Sequence, residues 1–277
     1  MPDQVDRDSR GILDPWLLRQ RVAFARYPPP PALDGVVDVF WAVRWDLPPG
    51  ANHHQEVLQH PALNLSVGTP DARTGRSGPE ARLYGIHTDL VDRELAGHGW
   101  TLGAKSTVGG FGALVDVPEL RGRSVNVDVV DGLCGTDLVR EMTDAEEAVR
   151  VVVLAGALEG ALARADPARV AQAREVAAVA RIAETDRTVR RLDDLAARAG
   201  IGARSLQRLF TRHAGVSPTW VLRRYRLLEA AEAVRGGEEV VWSDVAAALG
   251  YADQAHLVRD FRAAIGRTPE AYRRSLT

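Results

Sequence analysis

The sequence has little of several residue types, and each shortage excludes a class of protein. Cysteine occurs once, at Cys134, which excludes an intramolecular disulfide framework and a metal site built from several cysteines. No apolar run reaches the roughly 18 residues of a membrane span, since the apolar run at 151–158 lies between Arg150 and Glu159. The N-terminal residues lack the basic-then-apolar layout of a signal peptide. We therefore expect a soluble cytoplasmic protein with no membrane partner.

Lysine is equally scarce, and the charges are unevenly distributed. Lys105 is the one lysine, so 34 of the 35 basic residues are arginine, and GC-rich codon usage would explain most of them. Residues 185–277 carry 16 Arg and 11 acidic residues, a balance of +5, whereas the preceding residues carry 19 basic and 26 acidic residues, a balance of −7. A basic C-terminal third is typical of a polyanion-binding module joined to a part that does not touch nucleic acid.

The residue pattern predicts an α+β protein with three parts. We predict a β-rich barrel or sandwich-like domain over residues 1–139, because short β-branched stretches alternate there with Gly- and Pro-rich turns. The stretches that favour strands are 36–47, 62–69, 81–90 and 124–130. A helical connector over 140–184 and an all-α domain over 185–277 are expected to follow.

Two helices are predicted in the connector. Thr143 and Glu146 have the spacing of a capping box that would start the first helix. One stripe of this helix would carry Val149, Val152, Val153, Gly156 and Ala157. The second helix, over 166–184, would have Asp166 as its N-cap and Pro167 at its first position.

The strongest signal in the sequence is an internal repeat with a period of about fifty residues. LDDLAARAG at 192–200 aligns with WSDVAAALG at 242–250, and SLQRLFTRHAGVSP at 205–218 aligns with HLVRDFRAAIGRTP at 256–269. Two copies are too few for a solenoid, so we interpret them as a duplication within one domain.

Each copy has the layout of a helix-turn-helix unit. Its first helix stops at Gly200 or Gly250, because glycine readily adopts the left-handed conformation that ends a helix. A short turn and a second helix follow, and the apolar residues predicted to be buried on the second helices are Leu206, Phe210, Leu257 and Phe261. Small residues, Ala196 and Ala246, stand where the paired helices would cross.

The remaining faces of the second helices are polar, as a DNA-reading helix requires. The candidate DNA-binding residues are Arg204, Ser205, Gln207, Arg208 and Arg212 in the first copy, and Gln254, His256 and Arg259 in the second. Arginine and glutamine make bidentate hydrogen bonds to base edges in the major groove. Arg208 and Arg259 occupy equivalent positions and are the favoured contacts, whereas Asp253 and Asp260 predict weaker binding by the second unit.

Between the copies, residues 217–237 read as a single helix stopped by Gly236 and Gly237. A helix of about 18 residues is about 27 Å long. Such a rod would hold two reading helices about one turn of DNA, about 34 Å, apart.

The region from Val189 to Tyr272 resembles the DNA-binding domain of AraC/XylS-type transcriptional regulators. The resemblance rests on the two copies and above all on the C-terminal signature of the family between 249 and 273. All parts of this signature are present: LGY, then F, G, TP and YR in that order. It implies seven helices with two helix-turn-helix units, double-stranded DNA as the partner, and contacts to DNA at the candidate positions between 204 and 208 and at 254, 256 and 259. The N-terminal half, with FWAVRWDLPPG at 40–50 and GAKSTVGGF at 103–111, resembles the sensor half of actinobacterial AraC-like regulators.

The N-terminal domain offers two kinds of candidate site. A small-molecule pocket would be lined by aromatic side chains, and the candidates are Trp41, Trp45, Tyr84, Trp100 and Phe111. A metal site would draw on Glu56 and on His53, His54, His60, His87 and His98. We expect no metal and no cofactor, because the spacing that places two imidazoles on one strand face is missing, and adjacent His53 and His54 would face opposite sides of a strand.

The sequence thus predicts a sequence-specific regulator, controlled by a small-molecule effector or by homodimerisation through its N-terminal domain. One alternative is an interaction protein that has kept the fold without binding DNA. Another is a DNA-repair protein that accepts an alkyl group on Cys134, although its surroundings lack the Pro-Cys-His-Arg context or a four-cysteine zinc site. We expect no enzyme, because a nucleophile elbow, a Walker loop and an HExxH motif are missing.

Overall fold

Strands fill the first half of the chain in the computed structural model, which describes residues 11–235 and 241–276. The strands within these residues are β1 (Val22–Tyr27), β2 (Val37–Asp46), β3 (Asn52–Val57), β4 (Asn64–Gly68), β5 (Glu80–Tyr84), β6 (Val91–Ala96), β7 (His98–Ser106) and β8 (Ser124–Asn126). Gly236 and Gly237, predicted to stop a helix, lie outside the described residues.

The strands form two antiparallel sheets that face each other. The larger sheet has the order β1-β2-β7-β4-β5-β8, and β3 pairs with β6 in the smaller one. Because side chains alternate along a strand, Phe40 and Ala42 of β2 enter the main core, whereas Trp41 and Val43 face the smaller sheet. This sandwich-like arrangement, followed by helices, confirms the predicted α+β fold class.

Helices make up almost all of the second half. The described helices are α1 (Pro15–Arg21), α2 (Gly135–Thr143), α3 (Glu147–Arg164), α4 (Pro167–Thr185), α5 (Leu192–Ala199), α6 (Ala203–Ala214), α7 (Pro218–Arg235), α8 (Trp242–Ala248), α9 (Gln254–Ile265) and α10 (Pro269–Arg274). None of them is long and apolar enough to cross a membrane.

One buried apolar core runs through both halves of the chain. It includes Phe40 and Leu65 of the larger sheet, and also Phe210 and Phe261 of the C-terminal helices. The two halves are joined at a 3-10 turn, Gly110–Ala113, against which both α4 and α6 pack. The first helix-turn-helix unit is therefore fixed to the N-terminal half by packing as well as by the chain.

Some local predictions are confirmed and others are wrong. Asp166 caps α4 as predicted, because its carboxylate accepts a hydrogen bond from the Ala168 N–H at 3.0 Å. The predicted capping box at Thr143 is wrong: Thr143 ends α2, and its hydroxyl donates to the Val139 carbonyl at 2.6 Å. The next helix, α3, begins only after Glu146, whose side chain caps nothing in the described structure.

Two strand predictions also need correction. The strand expected over 124–130 ends at Asn126, because the Asn126 side chain accepts from the Asp128 N–H and starts a 3-10 turn. The second concerns the segment at 47–54, where two prolines and Gly50 favour a turn but β3 already starts at Asn52. The connection between β2 and β3 is therefore shorter than the composition of this segment indicates.

The stripe predicted on α3 is mostly exposed. Val149 and Val152 are 51% and 70% exposed, while the core contacts come from Leu154, Leu158 and Ala161 on the other side of the helix. The described part of 189–276 holds the six helices α5 to α10, where the resemblance implied seven. Helix α4 packs on α5, α6 and α7 and completes the group.

We expect a side chain at Gly112 to destabilise the protein. A Cβ there would lie 2.6 Å from the His213 carbonyl oxygen and 2.7 Å from its Cα, so α6 would have to move. The substitution Gly112→Ala should lower the free energy of unfolding by about 1–3 kcal/mol, the usual cost of overpacking. Urea unfolding followed by circular dichroism measures this change.

The matched control is Gly160→Ala in α3, where the new Cβ would meet only the Arg164 guanidinium, at 3.7 Å. Replacing an interior helical glycine by alanine should raise the free energy of unfolding by about 0.5–1 kcal/mol. Equal effects of the two substitutions would contradict the packing argument at Gly112.

Candidate nucleic-acid interface and effector cavity

The first helix-turn-helix unit consists of α5 and α6. Helix α5 ends at Gly200, whose φ of 68° lies in the left-handed region that favours glycine. Leu206 and Phe210 of α6 are fully buried, and Ala196 of α5 is buried where the helices cross. These contacts confirm the predicted unit and leave the opposite face of α6 in solvent.

The second unit, α8 and α9, repeats this arrangement. Gly250 follows α8 with a φ of 73°, and Leu257, Phe261 and Ala246 are buried in positions equivalent to those of the first unit. The Thr268 hydroxyl caps α10 by accepting from the Ala271 N–H at 3.2 Å, as Ser217 caps α7. The helix-ending glycine, the buried apolar residues and the N-cap therefore have the same roles in both copies of the repeat.

The structure places the candidate DNA-binding residues on the solvent side of the two second helices. Exposed side chains are Arg204, Gln207, Arg208 and Arg212 of α6, and Gln254 and Arg259 of α9. Ser205 and His256 are half-buried. On α6 the arginines are four residues apart, so they lie along one line of the helix.

The two favoured arginines and the aspartates of the second unit make separate contacts. Among the described residues, no carboxylate lies within ion-pair distance of Arg208 or Arg259. Asp253, suspected of weakening DNA binding, has a structural role, because its carboxylate accepts from the His256 N–H at 2.7 Å and caps α9. Asp260 lies 3.9 Å from the His256 imidazole.

Helix α7 connects the two units, but it is buried instead of standing free as a rod. Its Arg224 and Arg235 are 3% and 6% exposed. Arg224 donates to the Thr88 carbonyl and Arg235 to the Ile12 carbonyl, so both hold α7 against the N-terminal half. Burial lowers the pKa of Arg224 to about 10, and the guanidinium remains charged at neutral pH.

The second unit also contacts the N-terminal half directly. The Tyr272 hydroxyl of α10 donates to the Leu13 carbonyl at 2.6 Å, and burial raises the pKa of this phenol. Arg267 forms an ion pair with Glu56 of β3. Contacts from α7, from Arg267 and from α10 thus hold the C-terminal helices against the β-rich half.

Sequence reasoning missed His213, a histidine buried at the end of α6. Its Nε2 lies 3.1 Å from the Gln172 amide oxygen of α4, which requires a proton on Nε2. Its Nδ1 is buried with no hydrogen-bond partner in the described structure, as fits a neutral ring. Burial lowers the pKa of His213, and the nearby charges of Arg212 and Arg169 lower it further.

A cavity of about 240 Å³ lies between the two sheets of the N-terminal half. Of the predicted pocket residues, Trp41, Trp45 and Tyr84 line it. The Trp41 indole donates to the Asn64 side-chain oxygen at 3.2 Å, and its ring lies against Gly103, where a Cβ would be 2.3 Å from the ring. The lack of a side chain at Gly103 therefore makes room for Trp41 beside the cavity.

Two of the predicted pocket residues lie elsewhere. Trp100 does not line this cavity; the Arg150 guanidinium lies 3.6 Å above its ring, on the α3 side of the sheet. Phe111, 1% exposed, belongs to the Gly110–Ala113 turn and fills the main core. Composition identified aromatic residues, but strand alternation and the unforeseen turn decide which of them face the cavity.

The histidines and the cysteine are dispersed. His53 is buried and His54 is exposed, which confirms that they face opposite sides of β3. Within the described residues, no group of three His, Cys, Asp or Glu side chains is arranged to hold a metal ion. Cys134 is exposed just before α2.

Comparison with known families assigns the C-terminal region. A family model described as a helix-turn-helix domain matches residues 195–275, which contain both units. The C-terminal third therefore contains a helix-turn-helix domain. A second model, described as a domain of unknown function (DUF6597), matches residues 25–126, which hold most of the strands.

Individual relatives are similar in parts. The HTH-type transcriptional activator RhaS of Pectobacterium carotovorum is 33% identical over 79 residues, which is 28% of this chain and 28% of RhaS. The C-terminal domain of AraT, a response regulator from Geobacillus stearothermophilus, is 23% identical over 36% of this chain and 84% of its own, with a TM-score of 0.34. ToxT from Vibrio cholerae is 10% identical over 93% of this chain and 99% of its own, with a TM-score of 0.41.

We expect His213 to make stability depend on pH. The pKa of His213 is lowered in the folded state. The contribution of the neutral ring to the free energy of unfolding is therefore present above the unfolded pKa of about 6.5 and is lost as the pH falls below that value. The substitution His213→Gln keeps a polar side chain in this place but removes the titrating group. Between pH 7.5 and 5.5 the wild type should lose more stability than the variant, by up to about 1.4 kcal/mol per pH unit.

Urea unfolding at several pH values measures both slopes. His53 and His87, whose pKa values burial also lowers, remain in both proteins and act as the internal reference. Parallel pH dependence of the two proteins would contradict a neutral His213 in the folded state.

Proposed function

We propose that the protein is a sequence-specific transcriptional regulator that binds double-stranded DNA through α6 and α9. The observation that carries the proposal is the duplicated unit, in which each second helix buries its apolar face and leaves arginine and glutamine in solvent. Helices of this kind enter the major groove and contact base edges with their polar face. The chain would act by binding alone, in the cytoplasm, where it meets DNA.

Arg208 and Arg259 are the residues we propose to contact bases or the adjacent backbone. Both are exposed and occupy equivalent positions in the duplicated unit. Helix α6 has three exposed arginines in line, whereas α9 has Arg259 and Arg262 beside half-buried Asp260. The first unit should therefore contribute more of the phosphate attraction than the second.

We expect Arg208→Ala to weaken binding to a specific DNA site by about 1–3 kcal/mol, the usual value of a bidentate contact to a base. Fluorescence anisotropy at fixed salt, with a site selected from genomic fragments and with random DNA, measures the change. Loss of affinity for the selected site alone indicates base readout; an equal loss on both DNAs indicates a phosphate contact.

Arg181→Ala is the matched control, because Arg181 is an exposed arginine of α4 that borders Lys105 and Tyr225 and is not part of α6 or α9. It should leave the affinity unchanged. Binding should also weaken steeply as salt increases. If the wild type fails to bind any genomic fragment at low salt, the protein has kept the fold without the function, and the proposal is wrong.

We further propose that the regulator is a homodimer that uses the exposed face of α3. Val149 and Val152 are more than half exposed, and the exposed Gly156 continues the same stripe without a side chain. A stripe of this kind has no charge to repel a second copy, and a two-fold axis would pair it with itself. A dimer would present two reading domains to one DNA.

We expect Val152→Arg to weaken the dimer at least tenfold, because the two introduced guanidinium groups, one from each copy, would meet across the axis. Sedimentation equilibrium over a range of concentrations measures the dissociation constant. Ala163→Arg, also exposed on α3 but near its end, is the control and should weaken the dimer less. A wild-type chain that is monomeric at all concentrations would contradict this use of α3.

The N-terminal half would carry the effector site. The cavity between the sheets is partly open, and its surface is mostly apolar with polar side chains along part of the lining, which is the usual character of a small-molecule site. Regulation by an effector in this cavity is part of the proposal.

A further inference from the structure

The two ends of the inter-sheet cavity have different chemistry. The register of the larger sheet brings Lys105 beside Asn64, and Asn64 beside Tyr84, in one row across three strands. The next row toward the centre holds Arg26, opposite Trp41. Since side chains on one face of a strand repeat every two residues, these two rows form one end of the cavity.

The cationic side chains of the lining lie mainly at this end, and the Arg26 guanidinium also lies 5.4 Å from the centre of the Phe24 ring. The Arg93 guanidinium of β6 lies 4.4 Å from the centre of the Tyr84 ring, so it belongs to the same row as Lys105. The cationic groups of the lining are therefore Arg26, Arg93 and Lys105, and the lining contains one carboxylate, Asp71. The carboxylate is already bound by Arg73 at 3.0 Å, and Lys105 is held by Asp38 at 2.7 Å.

The other end is apolar. Beyond Trp41, the cavity face of the larger sheet continues with Phe24 and Val43, which are paired, and then with Trp45. Leu18 and Leu95 close this end from α1 and β6. The Trp45 indole N–H is satisfied by the Ala96 carbonyl at 3.1 Å, so it presents only its ring to the cavity.

A buried amide adds a further polar group to the lining. Gln59 is 9% exposed and lines the cavity, and its side-chain oxygen has no hydrogen-bond partner in the described structure. A buried polar atom without a partner costs free energy, which a ligand with a hydrogen-bond donor would recover. The cavity thus has a cationic end, an aromatic wall and a buried amide oxygen that can accept a hydrogen bond from a donor on the body of a ligand, such as the N–H of an indole.

We propose that the effector is a small organic acid with an apolar, ring-sized body, its carboxylate at the end of the cavity lined by Arg26, Lys105 and Arg93 and its body against Trp41, Phe24 and Trp45. This inference rests on the proposed function for its regulatory meaning, but it concerns binding alone. A carboxylate beside guanidinium groups makes strong, charge-assisted hydrogen bonds, especially when it is shielded from water. The aromatic wall then buries the rest of the molecule.

The lining disfavours other ligand classes. A sugar or other polyol needs polar partners on all sides, and Phe24, Val43 and Trp45 make one wall of the cavity apolar. An organic cation would meet three positive side chains and a single carboxylate that Arg73 already occupies. The described residues contain no cluster of donor groups that could hold a metal ion.

Titration of the full-length protein with matched pairs of probes tests the proposal. The probes are 2-naphthoic, 4-phenylbutyric and indole-3-carboxylic acids at pH 7.5, each with its neutral primary amide. At least one acid should raise the thermal midpoint and give a saturable heat in calorimetry, since a ligand of the folded state stabilises it. Its amide should bind at least about tenfold more weakly, because a charge-assisted contact is lost.

Substitutions locate the binding end. Arg26→Gln and Lys105→Gln should each weaken acid binding about tenfold or more while leaving amide binding unchanged. Arg44→Gln is the control, since Arg44 is an exposed arginine of the same strand as Trp41 and is not part of this lining. The thermal midpoint of each free variant shows whether it is folded, and a variant that does not fold is replaced by Arg93→Gln.

Three outcomes would overturn the assignment: acids and amides that bind equally, no binding by any acid at millimolar concentration, or binding of a polyol such as glucose without binding of the acids. The same preparations are tested for DNA binding without probes. DNA binding without acid binding refutes only the ligand class, whereas acid binding without DNA binding refutes only the regulator.

Discussion

The close packing of α6 against the Gly110–Ala113 turn is the contact on which the rest of the structure depends. Gly109, Gly110 and Gly112 have no room for a Cβ, because Val176, the Val36 carbonyl and His213 occupy the space. This contact lets α4 and α6 lie directly on the turn that follows the larger sheet. Helices α2 and α3 then contact one face of the sheet, and its other face is left to α1, the small sheet and the cavity.

The exposed faces of the reading helices follow from the same contact. Helix α6 buries His213 and Ala214 on the side of the turn, and it buries Leu206 and Phe210 within its own unit. Its polar positions are therefore left on the solvent side. Helix α7, with buried Arg224 and Arg235, fixes the second unit to the same body. The positions of both units are set by side chains that never touch DNA.

The C-terminal domain was predictable from the sequence because its signals are local and occur twice. Gly200 and Gly250, Ser217 and Thr268, and the buried residues four apart on α6 and α9 each act within a few residues of the chain. The strands were less predictable, since β3 and β6 carry charged and polar residues at alternate positions and pair across a long separation. His213 and the glycines of the turn escaped notice because their role exists only once distant elements meet. The same limit applied to Trp100 and Phe111, whose aromatic character gave no indication of the side of the sheet that each would face.

The position of the single lysine, Lys105, makes the cavity accessible to chemical labelling. The side chain is 16% exposed, borders the cavity between the sheets and is the one ε-amine of the chain. Reagents that modify primary amines therefore have a single side-chain target, which borders the cavity between the sheets. The protein thus contains its own attachment point for a spectroscopic label.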